Sequence, residues 1–203
     1  IKMNPLGALK VNRKSGCEHF HSGGRPSQAN LLSFWQWSGS VLLSNAQRGV
    51  LAEYLVALAL DCDSGVRTEW DAYDLHTPNG IKVEIKSAAY LQSWHQDKLS
   101  TIGFGIAPTY GWDAATNTSS QVRSRQADVY VFAVLAHREK GNVDPMDTEQ
   151  WGFYVLSTTA LNEKVPDQKT ISLQSMLRLN PIRCSFDGIK EAVDQALGKR
   201  ELG

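Results

Sequence analysis

The sequence predicts a single α/β layer domain on three observations: an amphipathic helical stretch after Ser44, short runs rich in aromatic and β-branched residues through the middle of the chain, and two helical stretches near its end. With 203 residues, 42% of them hydrophobic, the chain can bury a sizeable core. It shows no internal repeat and no linker long enough to divide it. Residues 1–40 read as an irregular N-terminal arm. Gly23, Gly24 and Pro26 interrupt it, and Phe34, Trp35 and Trp37 mark a short packed segment at its end. Residues 41–203 form the predicted domain.

Ser44, with Gln47 three residues on, fits a capping box, and Val50, Leu51, Tyr54, Leu55 and Leu58 recur at helical spacing. The spacing predicts a helix over 45–60. Two extended runs, 66–75 and 81–87, flank Thr77, Pro78, Asn79 and Gly80, which favour a turn, so a β-hairpin is expected. Further strands are predicted at 101–106, 128–135 and 151–156. The polar stretch 108–125, with Asn117, Thr118, Ser119 and Ser120, reads as a loop. One closing helix begins near Ser172, with Leu173, Met176 and Leu177. The other begins near Asp187, with Ile189, Val193, Ala196 and Leu197 on one face.

Composition excludes several functions. Lys and Arg total 21 and Asp and Glu total 21, so no net field draws polyanions or anionic lipid, and any nucleic-acid contact must be local. No stretch approaches the ~20 apolar residues needed to cross a bilayer, and residues 1–14 lack an apolar signal core, which predicts a cytoplasmic protein without a membrane partner. Cys17, Cys62 and Cys184 are too dispersed for a disulfide framework or a paired-cysteine zinc site, and Cys17, His19 and His21 lack a fourth ligand. Gly103-Phe104-Gly105 is not followed by the remaining glycine and helix of a dinucleotide fingerprint, and no P-loop lysine motif occurs, so NAD and ATP are not expected.

The hairpin carries the chemistry. In Val83-Glu84-Ile85-Lys86-Ser87 the alternation of a strand places Glu84 and Lys86 on one face and Val83 and Ile85 on the other. A turn centred on Asn79 sets Asp74 opposite Glu84, with Cβ atoms ~4.5 to 5.5 Å apart, provided the register holds. Opposed carboxylates destabilise a strand pair unless a cation compensates them. Oxygen ligands open to water suit Mg²⁺, with Mn²⁺ as its substitute, and the carbonyl of Ile85 offers a third ligand beside Asp74 and Glu84. Lys86 would then hold a phosphate oxygen or orient the attacking water, a neutral general base being the alternative. Metal-assisted phosphodiester hydrolysis is the chemistry such a set performs. Glu69 and Asp71 fall on the opposite face of the Asp74 run.

Glu53 lies at the margin of the helix stripe, between the small residues Gly49 and Ala57, which let the helix approach the sheet. It would bind a second metal or orient Lys86. Arg123, Arg125 and Gln126 precede a predicted strand and would contact phosphate, unless they form a plain charged loop. Tyr90, Trp94, His95 and Lys98 would stack bases and contact phosphate, unless the Tyr and Trp pack in the core. Trp35, Trp37, Trp70, Trp112 and Trp151 are assigned to core or interface.

Ala52-Glu53-Tyr54 on a helix, Asp74 in Tyr73-Asp74-Leu75, a turn, and then Glu84-Ile85-Lys86 together resemble the PD-(D/E)XK nuclease superfamily, which includes type II restriction endonucleases and archaeal Holliday-junction resolvases. The resemblance covers 44–87 and extends more loosely to Leu135, with Tyr73 standing where the motif often has Pro. It implies a restriction endonuclease-like core, a mixed β-sheet flanked by helices. It also implies that Asp74, Glu84 and Lys86 are the motif's acid, acid and lysine, and that Glu53 is the additional acid of the first core helix. The function expected is a Mg²⁺-dependent nuclease acting on DNA, and a homodimer is compatible with the superfamily. The alternative is a catalytically inactive nuclease-fold module that binds nucleic acid or protein.

Overall fold

The structure, a computed structural model, describes residues 9–68, 72–113 and 116–198. A small hairpin, β1 (His19–Ser22) and β2 (Arg25–Asn30), leads into α1 (Leu31–Gly39) and α2 (Asn45–Ala59). Next come β3 (Leu75–His76), β4 (Lys82–Ala89), β5 (Gly103–Gly105), β6 (Thr109–Asp113), β7 (Thr118–Ser124) and β8 (Val129–Leu135). The chain continues through β9 (Trp151–Ser157), α3 (Thr158–Lys164), β10 (Thr170–Ser172), α4 (Leu173–Leu177), β11 (Ile182–Cys184) and α5 (Ile189–Ala196).

Five strands form the central sheet in the order β11-β9-β8-β4-β3. Only β4 and β8 run parallel, so the sheet is mixed, as expected. All seven residues of β8 are buried, the mark of a strand covered on both faces. On one face α2 and α5 pack Ala52, Leu55, Val56, Ile189 and Val193 against Val83, Ile85, Val131 and Phe153. On the other, Phe104, Leu161, Ile171 and Met176 cover Tyr130, Phe132 and Val134. Because a parallel pair needs a crossover, the chain from β4 to β8 must travel around the sheet, and this excursion carries β5, β6 and β7 past the Glu84 face.

The predicted helix 45–60 is α2, capped by the Ser44 hydroxyl accepting from Gln47 N–H at 3.3 Å. Its buried face differs from the predicted stripe. Ala52, Leu55, Val56 and Ala57 are inward, whereas Val50 is 40% and Tyr54 46% exposed. This helix is apolar on more than one side, so periodicity alone could not select the face, and small Ala52 permits the closest approach to the sheet.

The hairpin register holds. Leu75 pairs with Val83 and His76 with Lys82, the pairing centred on Asn79. Thr77 N–H donates to the Ile81 carbonyl at 2.9 Å, and Gly80 closes the turn at φ +83°, a conformation that favours glycine. The first strand is nevertheless only Leu75–His76, and 72–74 form a bend instead of continuing the predicted run. Glu69, Trp70 and Asp71 lie outside the described residues.

Other expectations need correction. The predicted loop 108–125 is the exposed hairpin β6–β7; β6 carries Tyr110 and Trp112 at alternate positions, but β7 is polar apart from Val122 and every described residue of it is exposed. The predicted irregular arm contains β1, β2 and α1, the latter closed by a capping box between Asn30 and Ser33. Of the tryptophans assigned to core or interface, Trp151 is buried, but Trp37 is 85% exposed and Trp35 and Trp112 are also open to solvent. The helix near Ser172 is only the five residues of α4, while α3, capped by Ser157, was not anticipated. No described helix is long and apolar enough to cross a membrane.

Candidate active site

The site forms where β3 ends and leaves β4 with an open edge. The Lys82 carbonyl accepts from Asp128 N–H at 2.8 Å and the Val83 carbonyl from Asp74 N–H at 3.1 Å, so even-numbered residues of β4 turn their backbone toward β8 and odd-numbered ones toward β3. Pairing with β3 stops at Leu75. The next odd residue is Ile85, whose N–H would be an orphan, and Asp74 Oδ2 accepts it at 2.6 Å. The N–H and C=O of one strand residue point to the same side, so the Ile85 carbonyl faces the same edge as the Asp74 carboxylate. The bend at 72–74 is what turns Asp74 to reach it.

Glu84 and Lys86 project together from the other face of β4, and Lys86 Nζ donates to Glu84 Oε1 in a partly shielded ion pair. Beside them stands Tyr130, the neighbour of Glu84 in the parallel register. Burial, followed by the charge of Glu84, pushes its hydroxyl well above the ordinary tyrosine value, so it is a neutral hydrogen-bond donor. Asp74 is pushed up to about 7, first by burial and then by Glu84, against the opposing hydrogen bond from Ile85; Glu53 adds to the rise and Lys86 opposes it. The four side chains therefore feel one another across the edge.

Glu53 reaches the site from α2 and is gripped by Arg67. Arg67 Nη2 donates to Glu53 Oε1 at 3.0 Å and Arg67 Nε to Glu53 Oε2, a bidentate pair. Two depressions flank the edge. One, of 460 Å³, contains Glu53, Arg67 and Asp74. The other, of 210 Å³, contains Glu84, Lys86, Gln126 and Tyr130. Sequence reasoning missed Tyr130 and Arg67: the register of β8 against β4 brings in the first, and the second lay in a run read as strand.

Gln126 is at the site, its Nε2 bonded to Ser124 Oγ at 2.8 Å and to the Thr109 carbonyl at 3.3 Å. Gly111 makes this possible, because a Cβ there would stand 2.7 Å from Gln126 Oε1. Arg125, expected to contact phosphate, is instead buried. It donates to the carbonyls of Ile106 and Val165 at 2.9 Å each and to Asn162 Oδ1 at 2.6 Å. In the short connection between β7 and β8 these inward bonds hold Arg125, while Gln126 is held on the exposed side by Ser124 and Thr109. Arg123 stacks over the Tyr110 ring at 4.9 Å on the exposed hairpin. Lys98 sits on the exposed loop after β4, outside both depressions, as do Trp94 and His95. Tyr90 is partly buried beneath Arg138, whose guanidinium lies 4.5 Å from the ring centroid.

Among the described residues no three His, Cys, Asp or Glu side chains gather as a metal cage. A divalent ion at the edge would rest on Asp74, Glu84 and the Ile85 carbonyl, with water completing its shell. An all-oxygen donor set with two carboxylates fits Mg²⁺, which keeps several waters.

The raised Asp74 carboxyl makes a prediction for the metal-free protein. Between the ordinary value of 3.8 and about 7, the folded chain holds a proton that the unfolded chain releases, so this contribution to stability is present in acid and lost as pH rises through about 7. Thermal melts in chelator from pH 5 to 8 should show wild type losing ground to Asp74→Asn. A difference between the two that stays constant with pH contradicts it.

The fold is an α/β domain, a mixed sheet flanked by helices, and two carboxylates, a lysine and a strand carbonyl lie at its open edge. The family model for bacteriophage T4 endonuclease IV matches residues 29–177, well over half of the chain, and the chain belongs to that family. No curated protein matches it.

Proposed function

We propose that this protein is a divalent-metal-dependent endonuclease that hydrolyses phosphodiester bonds in DNA through a PD-(D/E)XK arrangement of Asp74, Glu84 and Lys86. The observation that supports this most directly is the Asp74 carboxylate fixed on Ile85 N–H beside the Glu84–Lys86 pair. Membership of an endonuclease family agrees with it. Asp74, Glu84 and the Ile85 carbonyl would hold the metal, which would acidify a water and stabilise charge on the phosphate. Lys86, at the smaller depression, holds a phosphate oxygen or orients the water. Tyr130 donates a hydrogen bond from its wall. Glu53 fixes the Arg67 guanidinium, which places a cation at the larger depression for backbone phosphate. A homodimer accompanies this reading through the superfamily resemblance.

The test is digestion of circular plasmid DNA by the purified protein with Mg²⁺, with Mn²⁺ and with chelator. Linear or nicked products only with the ions are expected. The Glu84–Lys86 pair also suits a purely structural ion network, and that reading wins if wild type neither cuts nor binds Mg²⁺ by calorimetry.

A further inference from the structure

The N-terminal arm concentrates a positive charge that the whole chain lacks. Residues 9–44 carry four cations, Lys10, Arg13, Lys14 and Arg25, against one acid, Glu18, whereas the chain balances at 21 of each sign, so the remainder is net acidic. All four cations are exposed, all precede residue 29, where the family match begins, and among the described residues none of them enters an ion pair. Glu18 is engaged elsewhere: its carboxylate oxygens accept from Ser15 N–H at 3.0 Å and Gly16 N–H at 2.9 Å and close the loop ahead of β1. The same arm presents aromatic rings to water. No residue of α1 is buried, although leucine, phenylalanine and tryptophan make up most of it. Leu32 and Trp35 lie over Gly16, where a Cβ would stand 3.4 and 3.1 Å from them, and helical spacing sends Trp37 to the opposite side, where it is 85% exposed. Phe20 and Phe34 are 48% and 44% exposed. Arg13 joins this surface to the site, since it donates to the Asp63 carbonyl at 3.1 Å and lines the larger depression with Glu53 and Asp74.

We propose that the arm of β1, β2 and α1 is a DNA-holding surface continuous with the active site, on which Lys14 and Arg25 contact backbone phosphates of the segment beyond the cut and Trp37 stacks on one of its bases. This rests on the endonuclease reading, which supplies DNA as the polyanion, and extends it to a surface outside the chemistry. Cations interleaved with open rings suit a nucleic-acid strand, whose phosphates meet the one and whose bases meet the other. A second copy of the chain fits the face less well, because a two-fold contact there would set these unpaired cations against their own counterparts. Phosphates and base faces are common to every sequence, so the arm adds affinity without reading the target. None of its residues touches the reacting atoms.

The experiment titrates the whole chain into a dye-labelled DNA strand of mixed sequence, followed by fluorescence anisotropy in chelator at several salt concentrations, so that binding is read without cleavage. Trp37→Ala is expected to weaken binding roughly tenfold, the factor that stacking of one base contributes. Lys14→Gln combined with Arg25→Gln is expected to make the dependence of log affinity on log salt shallower by about 1.4, the share of two phosphate contacts on a single strand. The three residues are exposed, so both variants should melt with wild type. Wild-type affinity and salt dependence in both variants overturn the proposal. So does a Trp37→Ala chain that binds DNA normally while passing from dimer to monomer in sedimentation, because the face is then a contact between copies. Cleavage is scored separately on the same strand with Mg²⁺ and Mn²⁺: cutting by wild type with no effect of the arm variants on binding removes the arm alone, and arm-dependent binding without cutting keeps the arm and removes the endonuclease reading.

Discussion

Asp74→Asn removes at least about 10³-fold of the Mg²⁺-dependent cleavage rate while leaving the fold intact or firmer at pH 8. Asn keeps an oxygen for the Ile85 N–H, so the bend at 72–74 retains its anchor, but it brings no charge to a cation. At pH 8 the wild-type carboxylate is ionised, in a place where burial and the neighbours Glu84 and Glu53 disfavour that charge. Neutralising it relieves the repulsion. Activity and stability therefore move in opposite directions, which separates a metal ligand from a structural residue. The measurement pairs a cleavage time course with a melt in chelator and a calorimetric Mg²⁺ titration. Full activity in the variant, or a fall in stability that accounts for the lost rate, removes Asp74 from the chemistry. Glu84→Ala should lose a comparable factor, and Lys86→Ala should keep Mg²⁺ binding while losing rate.

Arg125→Ala lowers stability by about 3 kcal/mol and leaves affinity for DNA unchanged in the folded fraction. The guanidinium ties Ile106, in the excursion between β4 and β8, to Asn162 and Val165 at the end of α3. Removing it strands several shielded acceptors, and hydrogen bonds to a charged donor are among the stronger ones. For a chain of this length the loss reads as a fall in melting temperature of roughly 6 to 12 °C. Because Gln126 and Tyr130 follow directly, some loss of rate through displaced walls is expected near the melting transition, and none well below it. An unchanged melting temperature with weakened DNA binding would return Arg125 to the role of a phosphate contact.

Much of the site was readable because it is local. Glu84 and Lys86 share a face through the two-residue period of a strand, and the Thr77–Gly80 turn dictated the register of Leu75 with Val83 before any distant residue was considered. The expected direct opposition of Asp74 and Glu84 became something more useful, since the bend takes Asp74 out of the ladder and onto the Ile85 N–H. No propensity encodes that step, because it depends on β3 stopping while β4 continues. The outward face of α2 and the inward turn of Arg125 were similarly beyond periodicity. Both follow from what packs on either side of the sheet. The β6–β7 hairpin has one strand, β7, of mainly polar exposed residues, and that strand carries no pattern that separates it from a loop.

The amino-acid sequence by itself determined the layer class, the strand that presents Glu84 and Lys86, the turn that brings the Asp74 segment back to it, and the helix that supplies Glu53. These depend on interactions between residues close along the chain, where dihedral preference and side-chain period act directly. Only the tertiary structure decided that Tyr130 stands against Glu84, that Arg67 holds Glu53, that Gln126 rather than Arg125 meets the site, and that two unlike depressions flank the open edge. Those relations join separate segments of the chain, from 14 residues apart for Glu53 and Arg67 upward, and they are set by which surfaces exclude water together.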